Sequence, residues 1–303
     1  MAVALAALLF APIVLGILIA GAIRLVDTLQ SEGAARAAQT RSLAASAATG
    51  LAGLAGTVAW LALASGLALN LRLATLPALG CTVAVLTAAV AELTWPRPTG
   101  SVRTASLGSR RAPRPTWLPR LVVVGVASSA AALVVGALTA DREGWSFSRS
   151  APGMSAIGFP YPGWPYAVAV GTATLLLALA TWFAWARVDA RPALGQGHEA
   201  LDSAVRGASM ARVLRPAAVG SLGTATGLWL TMGATINSVT QNLRMNDART
   251  AQPPFDWVQD LGFAATVLGF LLLLLAVGAL MVGSPRLPRR EASPAPGIAR
   301  VDA

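Results

Sequence analysis

Along this chain, long apolar stretches alternate with short polar connections. Seven stretches each approach the roughly 20 residues that a helix needs to cross about 30 Å of hydrocarbon. They run over Val3–Ile23, Ala47–Leu69, Leu73–Ala91, Leu121–Ala140, Tyr166–Ala186, Pro216–Ile236 and Leu261–Gly283, and no charged side chain falls inside any of them. The pattern predicts an all-α polytopic transmembrane helical bundle of about seven spans. It forms one domain over residues 1–284, followed by a disordered basic cytoplasmic tail over 285–303. The tightest connection is expected at Asn70-Leu71-Arg72, where two spans turn over at the membrane surface. The first stretch reads as a retained span rather than a cleaved signal peptide, because its arginines follow it and no positive segment precedes it.

Composition agrees with a lipid-solvated body. Hydrophobic residues make up 55% and charged residues 12% of the chain, with a mean hydropathy of +0.63; soluble domains carry roughly a quarter charged residues. All 23 basic residues are arginine, and the net charge is +10. The arginines lie in the connections and at stretch ends, where anionic headgroups suffice as partners, so a nucleic-acid partner is rejected. With the N-terminus outside, 18 arginines fall in cytoplasmic segments and five (Arg72, Arg142, Arg149, Arg244 and Arg249) fall outside. That bias predicts an outer N-terminus and a cytoplasmic C-terminus in the cell membrane. Seven of the nine tryptophans fall at or near predicted span ends, the level amphipathic rings favour. Trp60 and Trp229 lie within spans, where each indole N–H wants a partner.

Chemistry-bearing groups are sparse. Single Cys81 excludes an internal disulfide, and His198 beside Glu199 makes neither a metal site nor a triad. No catalytic residue, metal or cofactor is predicted. The arginine- and proline-rich segment Trp95–Arg120, with Ser106 as a phosphorylation candidate, reads as a positive cytoplasmic loop able to meet a protein partner. Within Pro192–Arg215, Leu201, Val205 and Ala208 share a helical face and Asp202 pairs with Arg206 at i,i+4. This reads as an amphipathic helix in the cytoplasmic interface leading into span six. Span six carries Gly223-Thr224-Ala225-Thr226-Gly227, a small-residue pattern with hydroxyls that suits tight packing inside the bundle. The two longest outer segments, Asp141–Pro165 and Asn237–Asp260, are expected to fold over the bundle. Trp145, Phe159, Tyr161, Asp247, Asp256 and Trp257 are the candidates for an outer-face binding site there.

The segments Val102-Arg103-Thr104-Ala105-Ser106-Leu107, Leu201-Asp202-Ser203-Ala204-Val205-Arg206, Arg212-Val213-Leu214-Arg215 and Pro162-Gly163-Trp164 carry a resemblance. From about Trp95 onward the chain resembles an uncharacterised, actinobacterial family of multi-pass integral membrane proteins from high-GC Gram-positive bacteria. The resemblance implies cell-membrane placement and assigns no activity and no site residue. The function expected from the whole reading is a sensing, scaffolding or regulatory membrane component. A permease-like transport subunit for an apolar or partner-energised substrate is the alternative, and an enzyme ranks below both.

Overall fold

The computed structural model describes residues 34–63, 69–94, 117–151, 154–191, 199–246 and 256–281. Six helices carry nearly all of it: α1 (Ala34–Leu63), α2 (Leu69–Leu93), α3 (Trp117–Thr139), α4 (Trp164–Asp189), α5 (Glu199–Asn246) and α6 (Asp256–Met281). Between α3 and α4 stand two antiparallel strands, β1 (Phe147–Ala151) and β2 (Met154–Gly158). Five helices (α1, α2, α3, α4 and α6) are long and apolar enough to cross a membrane. The stretch Val3–Ile23, the loop at 95–116, His198, Asp247 and the tail from 282 onward lie outside the described residues.

The sixth helix explains the architecture. α5 runs 48 residues without a break, straight through Pro216, so it rises about 72 Å, more than twice the thickness of the hydrocarbon core. It touches every other helix and both strands. A helix surrounded by helices instead of lipid has no need of an apolar surface, and α5 accordingly buries Ser209, Ser221, Thr224, Thr226, Thr235 and Thr240. The most apolar surfaces face outward instead: Leu51, Val123, Leu138, Phe263 and Leu274 are all at least 66% exposed. A perimeter this apolar is what a protein solvated by lipid presents, and a monomer in water does not. The chain is a helical, membrane-embedded protein.

Three sequence expectations shift. α2 already begins at Leu69, so Asn70-Leu71-Arg72 forms its first turn and the connection falls within 64–68, outside the described residues. The amphipathic helix expected in the interface does lead into span six, as the first third of α5, but it is packed within the bundle, with Asp202, Val205, Ala208 and Arg212 buried. The bundle also carries a hairpin that the all-α reading does not contain. Its strands alternate (Phe147-Ser148-Arg149-Ser150 opposite Ser155-Ala156-Ile157-Gly158), and Pro152-Gly153 separates them. Strands this short and serine-rich leave little periodic signal.

Small residues set how closely the helices approach. A Cβ added at Gly125 of α3 would stand 2.7 Å from the Leu222 amide of α5. One at Gly220 of α5 would stand 2.6 Å from the Cys81 Cβ of α2, and one at Gly233 would stand 2.7 Å from the Gly262 carbonyl of α6. Close backbone approach through glycine is the usual substitute for hydrophobic driving force between membrane helices. Span six is therefore interior, as its Gly and Thr content suggests. Its tight contacts lie at Gly220 and Gly233, whereas a Cβ at Gly227 meets nothing within 4 Å. Trp60 donates to Thr75 Oγ1 (3.2 Å) and Trp229 to Ser128 Oγ (2.9 Å). Each indole thus finds its partner on an adjacent helix, although Trp60, expected within a span, sits three residues from the end of α1.

Candidate functional site: a buried charge network and a hairpin cap

The two ends of the bundle hold its polar structure. At the end where α1 begins and α2 and α4 finish, five charged side chains converge. Arg191, two residues beyond α4, sends Nη1 to Glu92 Oε2 and Nη2 to Asp202 Oδ1, both at 3.4 Å. Arg212 reaches the other oxygen of Glu92 at 3.4 Å and donates to Ser42 Oγ (2.7 Å), the Ser42 carbonyl (3.2 Å) and Ser46 Oγ (3.2 Å). Arg206 Nε meets Asp202 Oδ2 at 2.8 Å, the i,i+4 pair that the sequence anticipates. The side chains of Glu92 and Arg191 are only 1% and 2% exposed. Arg206 also donates to the carbonyls of Val188, Asp189 and Arg191, in and just past the last turn of α4, where carbonyls lack the usual helical partners. Arg41 of α1 donates to the carbonyl and hydroxyl of Thr94, just past α2. Four helices are thus tied by ionic and hydrogen-bonded contacts around two carboxylates.

A guanidinium can serve such a junction where an ammonium cannot, because its planar fork offers five donors that reach two carboxylates at once. The desolvation cost of burying these ions is large, and mutual attraction offsets it only while every partner is present. Both carboxylates face arginines from other parts of the bundle, so the network is suited to holding helices together. Among the described residues no three His, Cys, Asp or Glu side chains lie together in a way that would hold a metal ion.

The network as a whole is not predicted from the sequence. Asp202 and Arg206 are legible as a pair and Arg191 and Arg212 as cytoplasmic arginines, but Glu92 is not singled out. One signal was present. Glu92 is the only acid between Glu32 and Asp141, flush against an apolar stretch with Ala91 and Leu93 on either side. An acid so placed needs a cation when the helix end is buried.

At the opposite end the hairpin covers the bundle. Asp141 follows α3 and organises the entry: its carboxylate accepts from the Gly144 amide (2.9 Å), the Ser146 amide (3.3 Å) and the Ser146 hydroxyl. The Ser146 hydroxyl chiefly, with the Ser146, Gly144 and Trp145 amides, holds the Asp141 carboxyl below its usual range. Gly144 takes φ +77, a conformation that L side chains rarely adopt, and Trp164 and Pro165 pack close to where a Cβ would stand. Tyr161 donates its amide to the Trp145 carbonyl (2.9 Å), and its hydroxyl bonds Thr139 Oγ1 (2.6 Å). Burial pushes that hydroxyl above its usual pKa, while the Thr139 bond and the Arg149 charge oppose the shift. Thr235 of α5 donates to the Pro160 carbonyl (2.6 Å).

The six outer-face candidates fall in different settings. Tyr161 is fully buried, with its ring 5.2 Å from Phe147. Trp145 meets Tyr166 edge-on at 5.7 Å. Trp257 is exposed on one side and faces the Arg149 guanidinium at 5.4 Å, an arginine that also stacks over Phe147 at 5.4 Å. Arg149 thereby links the hairpin to the start of α6. Phe159 is exposed and Asp256 is the first residue of α6, while Asp247 lies outside the described residues. No protein-family model, curated protein or solved structure matches this chain.

Proposed function

We propose that this protein is a non-enzymatic sensing or regulatory component of the cell membrane, in which α5 conveys the state of an outer cap to a cytoplasmic charge junction. One observation carries the reading. A single unbroken helix, Glu199–Asn246, is gripped at one end by the hairpin through Thr235 and at the other by the ion-paired Asp202, Arg206 and Arg212. A continuous helix transmits displacement along its axis. A buried ionic junction is bistable in kind, since it is either fully paired or costly. The seven-span topology, with the N-terminus outside and the network facing the cytoplasm, belongs to this proposal, and the 18-to-5 arginine division supports it. Protein partners would meet the cytoplasmic loops beside the network, and anionic headgroups would meet the arginines around it.

The test loosens one end and reads the other. In nanodiscs, Thr235→Ala is expected to raise hydrogen exchange near residue 235 and also around Asp202–Arg212. Exchange that rises only beside the substitution would leave the two ends independent and end the relay reading. A reporter fused after Arg300 is expected to be active only if it works in the cytoplasm; activity confined to the outer side would reverse the orientation.

A further inference from the structure

We propose that the hairpin is a lipid-surface element, whose base lies in the headgroup layer of the leaflet it faces while its outward Ser150–Ser155 pair stands in water. The inference rests on the membrane-embedded reading and adds a binding surface to it. Strand alternation sorts the hairpin into two faces. Phe147 and Gly158 are buried, Gly158 directly against Thr235 and Val239 of α5. Ser148, Ser150, Ser155 and Ile157 point the other way and are exposed.

That outward face is graded. In the register, Ser150 pairs with Ser155 near the turn, and Ser148 pairs with Ile157 near the base. Phe159 follows two residues after Ile157, 69% exposed. On this face hydroxyls therefore lie toward the turn and large apolar side chains at the base. The base is also the part tied to the membrane helices, through the Tyr161–Thr139 hydroxyl bond to α3 and the Thr235–Pro160 bond to α5.

The apolar strip does not stop at the hairpin. Trp164, the first residue of α4, and Val168 one turn later are exposed on a helix apolar enough to span. In chain order, exposed Ile157 and Phe159 at the hairpin base thus lead directly into exposed Trp164 and Val168 at the start of α4. Tryptophan at the start of a span marks the headgroup level, where amphipathic rings gather. Charge agrees with this placement, because the outward face carries none and the hairpin's one arginine, Arg149, stacks on Phe147 and Trp257. Lipid is favoured over a second copy of the chain because these exposed apolar side chains immediately precede a helix whose own exposed apolar residues lipid must cover.

The test uses the full chain in a Cys81→Ser background, with single cysteines replacing Phe159, Ser155 or Leu176 and labelled with an environment-sensitive fluorophore. The proteins are reconstituted into nanodiscs containing phosphatidylglycerol, one copy per disc. The lipids carry a nitroxide either at the headgroup or deep in the acyl chain. A label at 159 is expected to emit blue-shifted light and to be quenched more by the headgroup nitroxide than by the deep one. A label at 155 is expected to emit as in water. Water-like emission at 159 overturns the proposal. So does blue-shifted emission that no nitroxide quenches, or that appears only with several copies per disc, since either result assigns the strip to protein. The label at 176, exposed on the middle of α4, is expected to be quenched by the deep nitroxide. Loss of that signal would sink the membrane-embedded reading itself, whereas failure at 159 alone would not.

Discussion

The two ends of this bundle are closed by opposite kinds of chemistry. One end buries Glu92, Asp202, Arg191 and Arg212 and joins α1, α2, α4 and α5 through them. The other end uses a glycine turn, backbone bonds, stacked rings and one half-buried hydroxyl pair, with Arg149 set against the Phe147 and Trp257 rings and no carboxylate pairing with it in a buried junction like that of Glu92 among the described residues. The difference lies in how loss propagates. Hydrogen bonds between neutral groups are worth about 1 kcal/mol each and fail one at a time. A buried ion pair that loses a member leaves its partner desolvated and unpaired, which costs about 3–5 kcal/mol. The charged end should therefore fail abruptly and the hairpin end gradually.

Glu92→Gln is the sharpest way to break that contrast. It leaves Arg191 and Arg212 without their shared carboxylate, and thermal stability in nanodiscs is expected to fall by about 3–5 kcal/mol. Combining Glu92→Gln with Arg212→Met should cost less than the sum of the two single changes, because the double variant no longer buries the arginine whose carboxylate the first change removes. Strict additivity would mean that the pair does not interact, and the end would not be an ionic junction.

The glycine seams stand between the two ends and are expected to rank next. Gly233→Val should cost about 1–3 kcal/mol or more through overpacking, since its Cβ would sit 2.7 Å from the Gly262 carbonyl of α6. Gly227→Leu, with nothing within 4 Å of the added Cβ, should change stability little. Equal losses at the two positions would show that α5 packs differently from this structure.

A smaller effect is expected at the cap. Tyr161→Phe removes the hydroxyl bonded to Thr139 at 2.6 Å and should cost about 1 kcal/mol. Because Thr139 also donates to the Val135 carbonyl, it is not stranded by the change. The same denaturation assay as for Glu92→Gln serves here, and a loss as large as the ionic one would erase the distinction between the ends.

What the sequence made legible follows from what lipid demands. Lipid-facing helices must be apolar, so α1, α2, α3, α4 and α6 stand out by hydropathy alone. The interior position of α5 is also readable from its Gly and Thr content, because a helix shielded by protein is free of that demand. Partners across the bundle are harder to read. Glu92 and Arg212 lie 120 residues apart, and nothing local to either records the other. The pairing of Asp202 with Arg206 was readable because i,i+4 spacing is a property of one helix. Glycine faces fail for a similar reason. Gly227 and Gly233 look alike in sequence, and only the path of α6 decides which of them is crowded. The hairpin escaped because four alternating residues carry too little period to separate a strand from a loop.

The smallest expected effect concerns acid. In the folded protein the Ser146 hydroxyl, together with the Ser146, Gly144 and Trp145 amides, favours the ionised Asp141 carboxylate and lowers its pKa. Unfolded, the group would titrate near the ordinary Asp value of about 3.9. The stabilisation is therefore fully present above that value and is lost as pH falls through the lowered folded one. Acid should loosen the hairpin entry first, seen as faster exchange of the Gly144 and Ser146 amides below about pH 4. Solvent screens this rim group, so the effect on global stability should be slight. Asp141→Asn keeps a side-chain acceptor but has no charge to lose, and the acid step at those two amides should vanish in it. If the step persists, another titrating group controls this end, and the assignment of the entry to Asp141 is wrong.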